Sequence, residues 1–132
     1  NFLEEYTDFV DKVTSETSKS TDKMRERIDY LNSRDIEMSR LLTAGIGLSG
    51  EVGEFNEILK KIIFQEKTLN DVTHEHMKRE LGDIMWYVAQ ACMALNISLE
   101  EVADMNIKKL EKRYEDGHFS EFYSENRKEG DR

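Results

Sequence analysis

The chain has 132 residues, no proline and a net charge of −9. That length fits one domain, residues 1–132, and the acidic balance excludes nucleic acid as the main partner, which would need clustered Lys and Arg. No run approaches the ~20 apolar residues of a membrane span, the start shows no signal-peptide layout, and the single Cys92 makes no internal disulfide, so no membrane partner and a cytoplasmic setting are expected.

Heptad-like apolar spacing recurs and strand-like alternation is absent, so the fold class reads as all-α, a bundle of four to five helices. The N-terminal part, 1–33, opens with an amphipathic helix from Phe2 to Val13, bearing Phe2, Tyr6, Phe9, Val10 and Val13 on one side. A polar linker, Ser15 to Thr21, leads to a short helix over Asp22 to Asn32. The core, 34–117, begins with a long helix from Asp35 to Phe64 that contains Gly45, Gly47, Gly50 and Gly53. Glycine costs about 1 kcal/mol in a helix interior, so this cluster suggests close helix approach, room for a ligand, or a local break. After a loop from Gln65 to Asp71, Thr73 is placed to cap a third helix that runs to Leu95. Ser98 and Glu101 form a capping box for a fourth helix, which ends near Asp116 with Gly117 as its stop. The tail, 118–132, carries Phe119, Phe122 and Tyr123 before a charged end. With 36% charged residues, short helices leave apolar faces that one subunit does not cover. A homo-dimer or homo-tetramer is expected, with the first helix and the aromatic start of the tail as contacts.

Two acid pairs, Glu51–x–x–Glu54 and Glu80–x–x–Asp83, carry the chemistry. Residues three apart on a helix are neighbours. Such pairs also arise by composition, as in Glu5/Asp8, Asp8/Asp11, Glu26/Asp29 and Glu101/Asp104, and most are solvated faces. Position around the helix separates these two. Leu41, Ala44, Leu48, Val52, Phe55, Leu59, Ile62 and Ile63 form an apolar stripe, and Glu51 falls about 80° from its origin, between Ile58 and Ile62 in angle. Met77, Leu81, Ile84, Val88, Ala91, Cys92 and Leu95 form the next stripe, with Glu80 about 60° off, between Tyr87 and Ala91. Acids on the shoulder of an apolar face need compensating cations. Divalent metal ions such as Mg²⁺ suit all-oxygen ligands, and Lys or Arg are the other answer.

On the fourth helix, Asn106 lies inside the stripe of Val102, Ala103, Leu110 and Tyr114, with Arg113 and Lys109 beside it. An inward Asn needs hydrogen-bond partners, and the two cations suit phosphate oxygens or, equally, salt bridges to the acids. His74 and His76 flank a helix start and read as solvated. Glu115–x–x–His118 has di-iron spacing but occurs once, at a helix end. Trp86 points off its stripe, toward a base pocket or an oligomer interface.

Gly47-Leu48-Ser49-Gly50-Glu51-Val52-Gly53-Glu54-Phe55 followed by Glu80-Leu81-Gly82-Asp83-Ile84 resembles the E-x-x-E…E-x-x-D signature of MazG-type proteins, in the all-α nucleoside triphosphate pyrophosphatase superfamily. Asn106 to Tyr114 and Gly117-His118-Phe119 are similar to the family as well, and the stretch from Leu41 onward resembles the short MazG proteins of marine cyanophages. The resemblance implies a homo-oligomeric enzyme that cleaves a nucleoside triphosphate to monophosphate and pyrophosphate, in the host cytoplasm if phage-encoded. It also implies that Glu51, Glu54, Glu80 and Asp83 are catalytic and bind Mg²⁺, with Mn²⁺ a substitute. Tyr87 would border the nucleotide, while Asn106, Lys109 and Arg113 would hold phosphates. Many relatives carry a further acid just before the first Glu; Gly50 stands there, so a base assigned to that acid does not transfer. A phosphoribosyl-ATP or (p)ppGpp-directed hydrolase is the alternative within the superfamily, and a helical oligomerisation module is the alternative outside it.

Overall fold

A computed structural model of the chain describes residues 1–114, which form helices joined by turns and short irregular segments, with no strand among them. The helices are α1 (Phe2–Lys12), α2 (Glu16–Lys19), α3 (Thr21–Asn32), α4 (Met38–Phe64), α5 (Asp71–Ala94) and α6 (Leu99–Arg113). The all-α expectation agrees with this. Gly117, the Glu115/His118 pair and the aromatic tail lie outside the described residues.

Local side-chain chemistry accounts for most helix starts. Asn1 and Glu4 make a capping box for α1, and Ser98 and Glu101 make the expected one for α6. The supposed linker Ser15–Thr21 contains α2, a single helical turn. Ser15 caps it, and Ser20 both ends it and caps α3 by accepting from the Lys23 N–H. A run of Ser and Thr thus supplied caps rather than loop. At α5 the cap is Asn70, not Thr73. Asn70 Oδ1 accepts from the Val72 and Thr73 N–H groups at 3.0 Å each, and the Thr73 hydroxyl accepts from the Asn70 N–H at 2.8 Å. The start of α5 is thereby fixed on both sides of its first turn.

Helix α4 has no side-chain cap from its own N-cap residue, Glu37. Asn32 Oδ1 accepts from the Met38 N–H at 2.9 Å, and the Glu37 N–H donates to the Ala94 carbonyl at 3.0 Å. The second bond ties the beginning of α4 to the end of α5. Asp35 and Asn96, in left-handed conformations at φ 65° and 61°, reverse the chain on either side of this junction. The result is an antiparallel α4–α5 hairpin. Among the described residues it is the one helix pair packed along its length, with α3 touching α2 and α4. Among the described residues α1 and α6 do not pack along this hairpin; the expected bundle of four to five helices was one assembled as a homo-oligomer. Neither α1 nor α6 contains a buried residue; both are short and heavily charged.

Ala44 and Ile58 of α4 and Cys92 and Ala94 of α5 are the buried apolar residues of the hairpin. Phe55, Ile62, Met77, Ile84 and Val88 are half-buried around them. Burial of an isoleucine side chain contributes about 1.5–3 kcal/mol. The packed line on α4 differs from the stripe read off the sequence. Ile58 is 7% exposed while its neighbour Leu59 is 38% exposed, and Val52 and Leu81 are exposed as well. Both helices are apolar over a wide arc, and the arc used within the chain is the one containing Glu51 and Glu80. One of the glycines has a clear reason: a Cβ on Gly47 would collide with the Tyr87 ring, which lies directly against the α4 backbone. Gly45, Gly50 and Gly53 have open space where a Cβ would stand.

Candidate active site

At mid-length the hairpin seam turns from apolar to acidic. Glu51 is half-buried on α4, and Glu80 faces it from α5 at only 7% exposed. Phe55 and Ile58 lie on one side along α4, Leu48 and Ala44 on the other. Carboxylate oxygens from Glu51, Glu54 and Glu80 all lie within 4.8 Å of one another. Glu54, one turn further along α4, is exposed and forms the solvent side of the group. Asp83 stands outside this set of three, yet close enough for its charge to act on Glu51. Helix phase explains the difference: Asp83 is three residues past Glu80 and rotates away from the seam toward solvent.

Placing like charges together is costly unless something intervenes. With both carboxylates ionised, Glu51 Oε2 and Glu80 Oε2 are buried and lack a hydrogen-bond partner. A shared proton relieves this. A hydrogen bond with Glu80, then burial, then the charges of Glu54, Glu80 and Asp83 push Glu51 from 4.5 up to about 7. Glu80 moves below the usual carboxylate value. The Glu51 hydrogen bond is the main cause, burial opposes it, and Glu54 and His76 add to it. A cation relieves the same strain by another route. The donor set is three carboxylates without nitrogen or sulfur, the chemistry of a hard divalent ion. Ligands on opposite sides of Mg²⁺ stand about 4 Å apart, so three oxygens within 4.8 Å close on one ion with small side-chain adjustments. The residues present fit the metal.

Tyr87, one turn beyond Asp83, is half-buried against Gly47, and the exposed Trp86 meets its ring edge-on at 5.0 Å and 86°. Tyr87 is thus packed between the α4 backbone at Gly47 and the Trp86 ring. The residues of α6 stand differently. Asn106, expected on an inner face, is exposed, whereas Lys109 and Arg113 are half-buried. Neither α4 nor α5 packs along α6, and the strongest influences on Glu51 and Glu80 all come from α4 and α5. The structure therefore groups Glu51, Glu54, Glu80, Asp83 and Tyr87 and does not add Asn106 to them. Sequence reasoning missed His76. Its Nε2 lies 3.3 Å from Glu80 Oε1, and the i,i+4 spacing was the available signal.

A helical hairpin with three carboxylates gathered at its seam has the donor chemistry of a site that could hold a divalent metal ion. The model of the MazG nucleotide pyrophosphohydrolase domain matches residues 41–118, and the chain belongs to that family. It is also 37% identical over 73 residues to the Gene 37 protein of Mycobacterium phage L5. That alignment covers 54% of this chain and 64% of the phage protein, so it spans less than two thirds of that relative's length. No solved structure matches. Among the described residues no helix is long and apolar enough to cross a membrane.

Proposed function

We propose that this chain is a Mg²⁺-dependent nucleoside triphosphate pyrophosphohydrolase, with Mn²⁺ able to substitute. The observation that carries the reading is the pair of buried, unpartnered oxygens on Glu51 and Glu80 with Glu54 beside them. Glu51, Glu54 and Glu80 would hold the ion, with Asp83 as a further ligand. A divalent ion held there would supply charge neutralisation for the triphosphate and a lowered pKa for the attacking water. Glu54, the exposed member, orients that water and takes its proton. The water oxygen bonds to the α-phosphorus, the bond from that phosphorus to the bridging oxygen breaks, and pyrophosphate leaves. Tyr87 borders the nucleoside. Lys109 and Arg113, and Asn106 with them, would grip the outer phosphates, as the family resemblance implies.

Hydrolysis in ¹⁸O-water is the direct test. Label is expected in the nucleoside monophosphate, with unlabelled pyrophosphate; release of inorganic phosphate and a diphosphate overturns the reaction. A panel that includes phosphoribosyl-ATP and (p)ppGpp alongside dNTPs and NTPs separates the related hydrolases.

We also propose that the working form is a homo-dimer or a dimer of homo-dimers. In α1 and at its C-cap, Phe2, Leu3, Tyr6, Phe9, Val10 and Val13 are exposed together, as are Val52, Ile63, Leu81 and Met85 on α4 and α5. Monomers rarely expose contiguous apolar patches beyond a few hundred Å². Light scattering at micromolar concentration is expected to give two or four subunits, and a monomer there refutes the assembly.

A further inference from the structure

We propose that His76 is a positioning residue that fixes the orientation of the Glu80 carboxylate for metal binding, a role that rests on the metal-site reading above. His76 Nε2 lies 3.3 Å from Glu80 Oε1, one helical turn away on α5. That contact engages Oε1 and leaves Oε2, buried and without a hydrogen-bond partner, as the free ligand atom. Glu80 is then held in one orientation at the centre of the seam rather than swinging between solvent and its neighbours.

An ordinary surface pair does not look like this. In the ion pairs made by Asp11, Glu16, Asp22, Glu37, Glu57, Glu75 and Asp104 the acid is at least 49% exposed. Such pairs hold two mobile groups in water and contribute little. Here the Glu80 side chain is 9% exposed and the His76 side chain 57% exposed. The histidine therefore keeps most of its hydration while its one contact reaches a buried group that has few alternatives. The backbone beneath it is firm as well. Asn70 and Thr73 lock the first turn of α5, so His76 projects from a fixed second turn. Partners that hydrogen-bond a ligating carboxylate orient it, and their loss typically weakens metal binding about 10- to 100-fold.

The ring also borders an open groove lined by Asp71, Val72, Glu75 and Arg79. Substitution there neither creates a cavity nor introduces a clash, so variants are expected to fold. Mn²⁺ binding to the full chain, read from the electron paramagnetic resonance of the free ion, is the test. His76→Ala should weaken Mn²⁺ by about tenfold or more while the metal-free melting temperature stays put. His76→Gln, which keeps an N–H donor at nearly the same reach, should restore most of the affinity. Raising Mn²⁺ should return the turnover of His76→Ala toward wild type, since the defect lies in holding the ion.

Wild-type binding retained in His76→Ala, or a Gln variant as weak as Ala, overturns the positioning role and leaves the metal site standing. A wild-type chain that binds no Mn²⁺ overturns both.

Discussion

Glu51→Gln is expected to remove metal-induced stabilisation and cut turnover by roughly 100-fold or more, a loss of several kcal/mol of metal-assisted transition-state stabilisation. In the wild type, a divalent ion at a hundred times its dissociation constant should add about 2.7 kcal/mol to folding if it binds only the folded state. Differential scanning fluorimetry with and without millimolar Mg²⁺ or Mn²⁺ reads this directly. The same substitution should raise the melting temperature of the metal-free protein. Glu51 Oε2 is buried without a donor when ionised, and a Gln amide there donates to Glu80 and removes one of the clustered charges. The variant is thus more stable and less active, a combination that a general folding defect cannot produce. A wild type whose melting ignores divalent metal defeats the site.

The metal-free protein should also lose stability as pH rises from about 5 to about 7.5. Glu51 is raised from 4.5 to about 7 by its hydrogen bond with Glu80, by burial and by the surrounding acids. The folded state holds this proton more tightly than the unfolded chain does. The Glu51 contribution is therefore complete below the unfolded value and is lost as pH climbs through the folded one. Glu80 is shifted downward, so its contribution runs oppositely: it is present above the ordinary value and fades only in more acid solution. In the window between 4.5 and about 7 Glu51 dominates. Melting temperature measured in chelator across this range should fall for wild type and stay level for Glu51→Gln. With Mg²⁺ present the trend should reverse, because the ion competes with the proton for the same oxygens. Parallel curves for the two proteins in chelator would remove the basis for this expectation.

Much of the hairpin was legible because its signals are local. Ser98 and Glu101 announce α6, and the apolar periodicity of residues 41–63 and 77–95 announces α4 and α5. The acid pairs stood out because Glu51 and Glu80 interrupt that periodicity. What could not be read was phase. Ile58 and Leu59 are adjacent, equally apolar and both compatible with a helical stripe. Only the presence of α5 decides that Ile58 is buried and Leu59 is not. The same choice moves Glu51 from the shoulder of the stripe into the packed seam. Asn106 is the converse case. Its angular position on α6 suggested an inner face, yet a helix has an inner face only where another helix covers it, and α4 and α5 cover each other instead. Residue types misled at His76, where proximity to a helix start hid a contact one turn away. At Ser15 and Ser20, polarity was taken for loop although these residues cap helical turns.

The hairpin constrains how this chain can change length. Glu51 and Glu80 meet only because α4 and α5 keep a fixed rotation about their own axes. One residue added between Glu51 and Ile58 would turn everything beyond it by about 100° relative to the acids, and the buried side of the helix would no longer carry them. The same residue added between Gln65 and Asn70, beyond the end of α4 and before α5 begins, alters neither rotation and adds little closure entropy. Insertions and deletions in this lineage should therefore collect at that connection, while the segments on either side stay at constant length even where their sequences drift.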